Sequence, residues 1–457
     1  MRVLIIDCEG TALDLALRTR SAGHQVRWWV RPRRDGQRRC CGDGIIERIS
    51  EFTDVQRKWL DWADLVIETD NVAYTEMLDQ YRARGYPIFG PSHEAAQLEI
   101  DRAAGQRALK AAGIPIIPAQ EFHDYDAALD YVRAHVKKAR GFVSKPSGNS
   151  RVSEDKSSSY VSNDAADMQY MLERWKENPK YRAAAREDGF ILQDRVSGCE
   201  MAVGGWYVHP AGWIGPWCEN WEYKKLMDGD LGVNTGEQGT LARYVERSKL
   251  ARLWLEPLEP LLKRLQYTGY VDVNGAVQAH NGGRTWPFEL TVRMGWPITH
   301  NLVALHQGDP VQWMKDGLEG RDTLNAQINT CSVSVVLSIP DYPYSRLTQK
   351  EVCGIPIYGG IDRDRHHLCE VQLAEQVPTQ VGDKLTHIPG LVSAGDYIAV
   401  AVGVGSTITA ARQSAYAAVR ALRMPNNPQY RLDIGRARLV DQLKDLQDHG
   451  FATGLSY

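Results

Sequence analysis

In the run Trp286 to Pro297, Glu289, Thr291 and Arg293 alternate with Phe288, Leu290 and Val292. A strand drawn there places three polar groups on one face and three apolar groups on the other. A second alternating run, Tyr270-Val271-Asp272-Val273-Asn274, precedes it, and the two join through His280-Asn281-Gly282-Gly283, where Asn-Gly is a strong hairpin signal. With a two-residue turn, Asn274 lies opposite Glu289 and Asp272 opposite Thr291. Four oxygen-bearing side chains then share one patch, with Arg293 at its edge. Such donors suit Mg²⁺, which takes one or two carboxylates and leaves its other positions to water and nucleotide phosphates. The patch reads as a metal and nucleotide site; the alternative is a hairpin with a solvated polar face.

Two further segments carry charge suited to phosphate. Lys145 ends the apolar run Gly141 to Lys145 and is followed by a polar loop from Pro146 to Ser159, whose amides add hydrogen-bond donors. Between Arg27 and Arg39, the sequence RWWVRPRRDGQRR sets six arginines against Asp35, with Trp28 and Trp29 alongside. Arginine forks and indole rings together suit a nucleotide or a nucleic acid strand. A solvated loop after a strand is the competing reading.

The elements that must hold these groups are legible from periodicity. The first ninety residues alternate strands (RVLII, QVRWWV, DLVIE) with helices over Thr11 to Ala22 and near Val55 to Trp62, which predicts a parallel sheet wrapped by helices. Ligands in such sheets bind beyond the carboxyl ends of the strands, so Asp7 to Thr11 and Glu68 to Val72 are candidate loops. A single glycine in Asp7-Cys8-Glu9-Gly10 is too few for a dinucleotide fingerprint. Next come one long helix over Glu94 to Ala112, a strand IPIIPAQEF, a helix over Asp126 to Ala134 and a strand Phe190 to Asp194. After Asp309 there follow a helix Val311 to Leu318, strands near Ser332 to Ser338 and Tyr397 to Val402, and helices Thr407 to Leu422 and Ala437 to Asp448.

With 457 residues, 43% hydrophobic, 24% charged and a formal net charge of -3, the chain fits two to four globular domains. It is neither disordered, fibrous nor broadly basic. No apolar run reaches bilayer length, and MRVLIID is followed by polar residues rather than a signal-peptide core, so a cytoplasmic, non-membrane protein is expected. Eight cysteines without a C-x-x-C pair indicate reduced thiols rather than a disulfide frame or zinc site.

A strand-borne lysine, a polar lid, a hinge ending in Ser197-Gly198-Cys199-Glu200 and a hairpin bearing Glu289, Thr291 and Arg293 follow one another in the order of the ATP-grasp fold. Within it the chain resembles the glycinamide ribonucleotide synthetase (phosphoribosylamine-glycine ligase) family over nearly its whole length, through FGPSHEAAQLEIDRAAGQRALKAAGIP, LGVNTGEQG, FELTVRMGWP, VGVGSTITAARQSAYAAV and YRLDIG. The resemblance implies an α/β chain: an N-terminal parallel-sheet domain at 1–90, an ATP-grasp domain at 91–325 with a lid subdomain at about 118–195, a C-terminal α/β domain at 326–424 and a helical tail at 425–457.

It also implies roles. Lys145 and Arg102 contact ATP phosphates, Gln193, Asp194 and Val196 belong to the adenine hinge, and Glu200 meets the ribose. Glu289 is a magnesium carboxylate and Thr291 stands for the asparagine that assists it, a poorer ligand for which Asp272 or Asn274 compensates. Arg293 steadies the reacting phosphate, and Asn234, Thr235 and Gly236 close over the acyl substrate. Departures concentrate in the acceptor loops, where Cys8-Glu9-Gly10-Thr11 and Glu68-Thr69-Asp70 replace the family's glycine-rich signatures. The lid has become Gly148 to Ser153, with Lys156 in place of its lysine, and Trp296 replaces an aspartate.

The implied activity is an ATP- and Mg²⁺-dependent carboxylate-amine ligase, with Mn²⁺ as an alternative ion. It would act through an acyl phosphate and join glycine or another amino acid to an amine on a phosphorylated, nucleotide-like or DNA-borne acceptor held by Arg33 and Arg34. Open alternatives are an authentic phosphoribosylamine-glycine ligase and a non-catalytic nucleotide- or nucleic-acid-binding protein.

Overall fold

A computed structural model describes every residue except 34–35, 137–140, 148–158, 341, 345–348 and 437. The N-terminal sheet is parallel throughout, with strands in the order Gln25–Val30, Arg2–Asp7, Leu65–Glu68 and Ile88–Phe89. Both of its faces are covered, which makes its strands continuously apolar. This coverage overturns one expectation: Trp28 and Trp29 point to opposite faces and are 0% and 4% exposed, so neither ring is available to stack on a base. The carboxyl ends of the two central strands bring Asp7 beside Glu68.

The expected long helix is two helices, His93–Ile100 and Arg102–Ala111. Asp101 between them is extended (φ -89, ψ 99), and its side chain accepts a hydrogen bond from the Ala104 amide. Such a cap starts a new helix more readily than it continues an old one. The break lets the helices pack so closely that a Cβ on Gly105 would lie 2.4 Å from the Leu98 carbonyl oxygen. It also places Arg102 on the first turn of the second helix. Downstream, the expected strand IPIIPAQEF shortens to Ala119–Phe122, since Pro115 and Pro118 cannot donate to a ladder. That strand joins Phe190–Asp194, Phe142–Pro146 and Tyr160–Val161 in a small antiparallel sheet. Phe122, Tyr125, Phe142, Trp175 and Phe190 give it an aromatic core of its own.

Eight antiparallel strands form the central sheet, in the order Arg284–Thr291, Thr268–Gln278, Cys199–Val208, Gly212–Glu222, Gly239–Val245, Cys331–Ser338, Tyr397–Gly405 and His366–Leu368. The sheet thus takes strands from both sides of the boundary expected at 325/326. Within the hairpin, Asp272 does pair with Thr291 and Asn274 with Glu289, although the turn is not the two-residue kind. A 3₁₀ turn at Ala279–Asn281 and left-handed Gly282 and Gly283 lengthen the connection. A bulge between Asn274 and Gly275 shifts the register back by one residue, as bulges do.

The second strand ends at Thr291 rather than running to Pro297, because the Val292 amide donates to the Glu99 side chain at 3.0 Å. Arg293 thus lies just past the ladder. The tail helix Arg438–Asp448 buries Leu439, Leu443 and Leu446. Among the described residues no helix is long and apolar enough to cross a membrane.

Candidate active site

Glu289 is the hub of the charged cleft. Lys224 Nζ donates to its Oε1 at 2.8 Å, Arg102 Nη1 donates to its Oε2 at 2.9 Å, and Lys145 Nζ stands 3.6 Å from the same oxygen. Three cations from a helix, the strand Phe142–Pro146 and the leading edge of the strand Lys225–Met227 thus converge on one carboxylate. Burial alone would raise the Glu289 carboxyl, but Lys224, Lys145 and Arg102 outweigh it and hold it well below the usual carboxylate range. Burial lowers Lys145 to about 8, against the opposing pull of Glu289. Lys224 responds in the other direction: Glu222 and Glu289 overcome its burial and keep it firmly protonated.

Behind this hub lies a second layer of oxygens. Glu222 takes Lys224 at 2.9 Å and the Asn274 amide at 2.6 Å, and Asp272 accepts from Asn220 at 2.8 Å and Tyr270 at 3.1 Å. Burial, then the neighbouring Glu222, raises Asp272 to about 7, and the same two causes lift buried Glu237 well above its usual value. Carboxylates that repel one another in a buried site are relieved by a cation, and the buried Asn220 side-chain oxygen has no hydrogen-bond partner among the described residues. A hard divalent ion such as Mg²⁺ fits this donor set, with Glu289, Glu222, Asp272 and Asn274 as the groups that would hold it. Thr291, half-buried, faces Asp272 across the ribbon.

Lys224, Glu222 and Glu237 escaped the sequence reading. Asn220, Glu222 and Lys224 alternate in ENWEYKK, which was the available signal, but Trp221 and Tyr223 between them are also compatible with an ordinary core strand.

Arg293 is anchored rather than loose. Its Nε donates to Glu99 Oε1 at 3.2 Å, and Glu99 also accepts from Asn71 Nδ2 at 2.9 Å, tying the arginine to the loop after the third strand of the N-terminal sheet. Asn234 Nδ2 donates to the Ser159 carbonyl at 3.0 Å, and the Thr235 hydroxyl to the Lys224 carbonyl at 2.8 Å. Gly236 is next to an aromatic wall: a Cβ there would lie 3.4 Å from the Tyr397 hydroxyl and 3.7 Å from Trp296. In the segment expected to be the adenine hinge, Gln193 is buried and its Nε2 has no partner among the described residues, and half-buried Asp194 and Val196 follow. Glu200 is engaged by the tail, through Arg438 at 2.8 Å.

Four arginines of the arginine-rich segment are neutralised by their own neighbourhood. Arg27 pairs with Glu47, Arg31 with Glu9 at 3.0 Å, Arg38 with both oxygens of Asp43 at 2.6 and 2.7 Å, and Arg39 with Glu370 at 2.9 Å. The Arg33 carbonyl accepts from the Gly36 amide at 2.9 Å. Arg34, Gly148 to Ser153 and Lys156 lie outside the described residues.

A separate buried group joins Asp14, His300 and His367. The His367 ring is 2.7 Å from Asp14 Oδ2, which also accepts from Arg18 Nε at 2.8 Å, and burial keeps both histidines neutral, His300 at about 3. Arg18, with Arg363 at 4.0 Å, already compensates the single carboxylate, so this group lacks the net negative charge that would draw a metal cation.

The chain is 25% identical over 375 residues to the phosphoribosylamine–glycine ligase of Neisseria meningitidis serogroup B, spanning 78% of this chain and 80% of that one. It is 26% identical over 370 residues to the Xanthomonas axonopodis pv. citri protein of the same name, spanning 79% of each. The crystal structure of phosphoribosylamine–glycine ligase from Thermotoga maritima superposes with a TM-score of 0.67 at 19% identity, covering 94% of this chain and 99% of that one.

The fold is ATP-grasp.

A more distant ATP-grasp structure, the biotin carboxylase domain of the Hydrogenobacter thermophilus 2-oxoglutarate carboxylase in complex with MgADP, ADP and bicarbonate, superposes with a TM-score of 0.60 at 11% identity. It covers 99% of this chain and 96% of that one. No family model matches the chain.

Proposed function

We propose that this ATP-grasp chain is an ADP-forming carbon-nitrogen ligase that uses ATP and Mg²⁺ to activate a carboxylate and join it to an amine. The observation that carries this reading is the convergence of Lys224, Arg102 and Lys145 on Glu289. Those cations, with Arg293 from the adjoining loop, suit the charge spread over a transferring phosphoryl group. A bound Mg²⁺ supplies charge neutralisation between phosphate oxygens.

Arg102, Lys145 and Lys224 would hold the phosphate oxygens of a bound nucleotide, and Glu289, relieved of them, would be among the groups that hold the ion. The carboxylate substrate, activated as an acyl phosphate, lies beneath Asn234 to Gly236 and the wall of Trp296 and Tyr397. The contact between Asn234 and Ser159 brings the end of the lid loop over that intermediate and helps keep water out. Attack by the amine then expels phosphate and forms the amide.

For the acceptor, the supporting observation is in the first loop of the N-terminal sheet. Asp7 consumes the amides of Glu9, Gly10 and Ala12 at 2.9, 2.9 and 2.8 Å, and those amides would otherwise be free to bind a phosphate. Glu68 beside it is buried, has no partner for either oxygen among the described residues, and is raised well above its usual value by burial. Carboxyl groups here, and arginines already paired with carboxylates, favour a small amine over phosphoribosylamine or a nucleic acid strand. The relatives of about four-fifths coverage favour the second reading, an authentic phosphoribosylamine–glycine ligase. ADP release decides between them: purified protein with glycine and phosphoribosylamine should turn over slowly or not at all, whereas a panel of amino acids and small amines should contain a productive pair. Efficient turnover of phosphoribosylamine would reverse the choice, and no ADP from any pair would point to a nucleotide-binding protein without turnover.

A further inference from the structure

Six of the eight cysteines are buried, and the two that are not, Cys40 and Cys353, touch each other. Their sulfurs are 3.3 Å apart although the residues are separated by 313 positions. Closing to a covalent bond needs a movement of only ~1.3 Å. Both thiols sit on hydrogen-bonded backbone. Arg48 Nη1 donates to the carbonyls of Arg39 and Cys41, bracketing Cys40 with a guanidinium. Beyond Cys353, the Gly354 amide donates to the Ser393 carbonyl at 2.9 Å and the Ile355 amide to the Ser393 hydroxyl at 3.0 Å.

We propose that Cys40 and Cys353 form a reversible disulfide modification site that answers to peroxide-class oxidants. Thiol chemistry assigns the order of events. The hydrogen bond with Cys40, and then burial, push the Cys353 thiol up, so Cys353 keeps its proton while Cys40, beside Arg48, is the attacking sulfur. Cys40 thiolate displaces hydroxide from hydrogen peroxide and becomes a sulfenic acid, the hydroxide leaving as water with a proton from solvent. Cys353 then attacks the sulfenic sulfur, its proton leaves with the expelled hydroxyl as a second water, and the S–S bond forms. Two thiols are oxidised and one peroxide is reduced to two waters.

The bond would tie the arginine-bearing segment of the N-terminal sheet to the chain beyond the helix Gln349–Val352. Arg39, adjacent to Cys40, bridges Glu370 and Glu9, so the lock falls on the carboxylate network beside the proposed acceptor loops. Resting on that proposed function, oxidation is expected to raise the KM for the amine severalfold while leaving the KM for ATP unchanged.

The test uses the full chain treated with hydrogen peroxide and mapped by non-reducing peptide mass spectrometry. The expected product is one intrachain cross-link joining the peptide of Cys40 and Cys41 to that of Cys353, with loss of two hydrogen atoms and full reversal by dithiothreitol. Cys41→Ser should retain the link, and Cys40→Ser and Cys353→Ser should each abolish it with unchanged circular dichroism. Sulfinic acid at Cys40 with Cys353 still reduced, links chiefly between chains, or a link that survives Cys40→Ser would overturn the proposal. The mass readout stands whether or not the chain proves to be a ligase.

Discussion

The cleft around Glu289 and the segment from Arg27 to Arg39 are both rich in cations, and they are built on opposite plans. In the cleft, Arg102, Lys145 and Lys224 come from distant positions and meet at Glu289, with Lys224 also on Glu222, so three cations face two carboxylates and positive charge is left over for phosphates. In the arginine segment, six cations lie within thirteen residues of sequence, yet Arg27, Arg31, Arg38 and Arg39 each have a carboxylate of their own. Density of charge along the chain is therefore a poor guide to a binding site. What counts is how many opposite charges share the space, since a neutralised guanidinium must give up one partner to gain another.

Glu289→Gln should break the comparison most severely. The amide removes the charge that the three cations share and that a Mg²⁺ ion needs, so kcat for ADP release should fall by roughly 10²-fold or more, with the folded circular dichroism spectrum retained. Full activity would move the metal to Glu222, Asp272 and Asn274 alone. Lys224→Met comes next: it deletes the strongest contact to Glu289, and kcat should drop by about tenfold to 10²-fold, the KM for ATP changing less. A KM effect alone would make Lys224 a binding residue only.

The pH dependence of ATP binding gives a smaller effect with a defined sign. Lys145 is lowered to about 8, and its charged form is the one that attracts phosphate. Affinity should hold below pH 8 and weaken above it, by up to about tenfold per pH unit, as titration calorimetry in the absence of turnover would read. Lys145→Arg keeps the charge at all these pH values and should remove the breakpoint; a breakpoint that persists assigns it elsewhere. The smallest effects belong to the other region. Arg31→Ala and Arg38→Ala remove partly exposed pairs, so stability should change by no more than about 0.5 kcal/mol, and ADP formation should be unaffected. A tenfold loss of turnover in either variant would erase the contrast between the two regions.

Much of the cleft was legible because its chemistry is periodic. The alternation of Glu289, Thr291 and Asp272, Asn274 gave the facing pairs, and the lysine at the end of a strand gave Lys145. The pairing came out right for a partly wrong reason: a longer turn and a bulge at Asn274 offset each other. Asp101 hid the helix break because a single capping residue interrupts no hydrophobic pattern, and Arg102 owes its position to that break. The arginine segment misled because its partners, Glu9, Asp43, Glu47 and Glu370, include residues that no local window contains.

The sequence by itself determined the kinds of element, their order and which side chains share a strand face, since backbone sterics and the two-residue period act locally. It also carried enough motif order to identify ATP-grasp. Only the tertiary structure decided that Lys224 and Glu222 enter the cleft, that Asp7 occupies its own loop amides, that Glu200 is held by the tail, and that Cys40 meets Cys353. Those outcomes turn on burial and charge compensation, which are set by whichever distant segments the fold brings within a few ångströms.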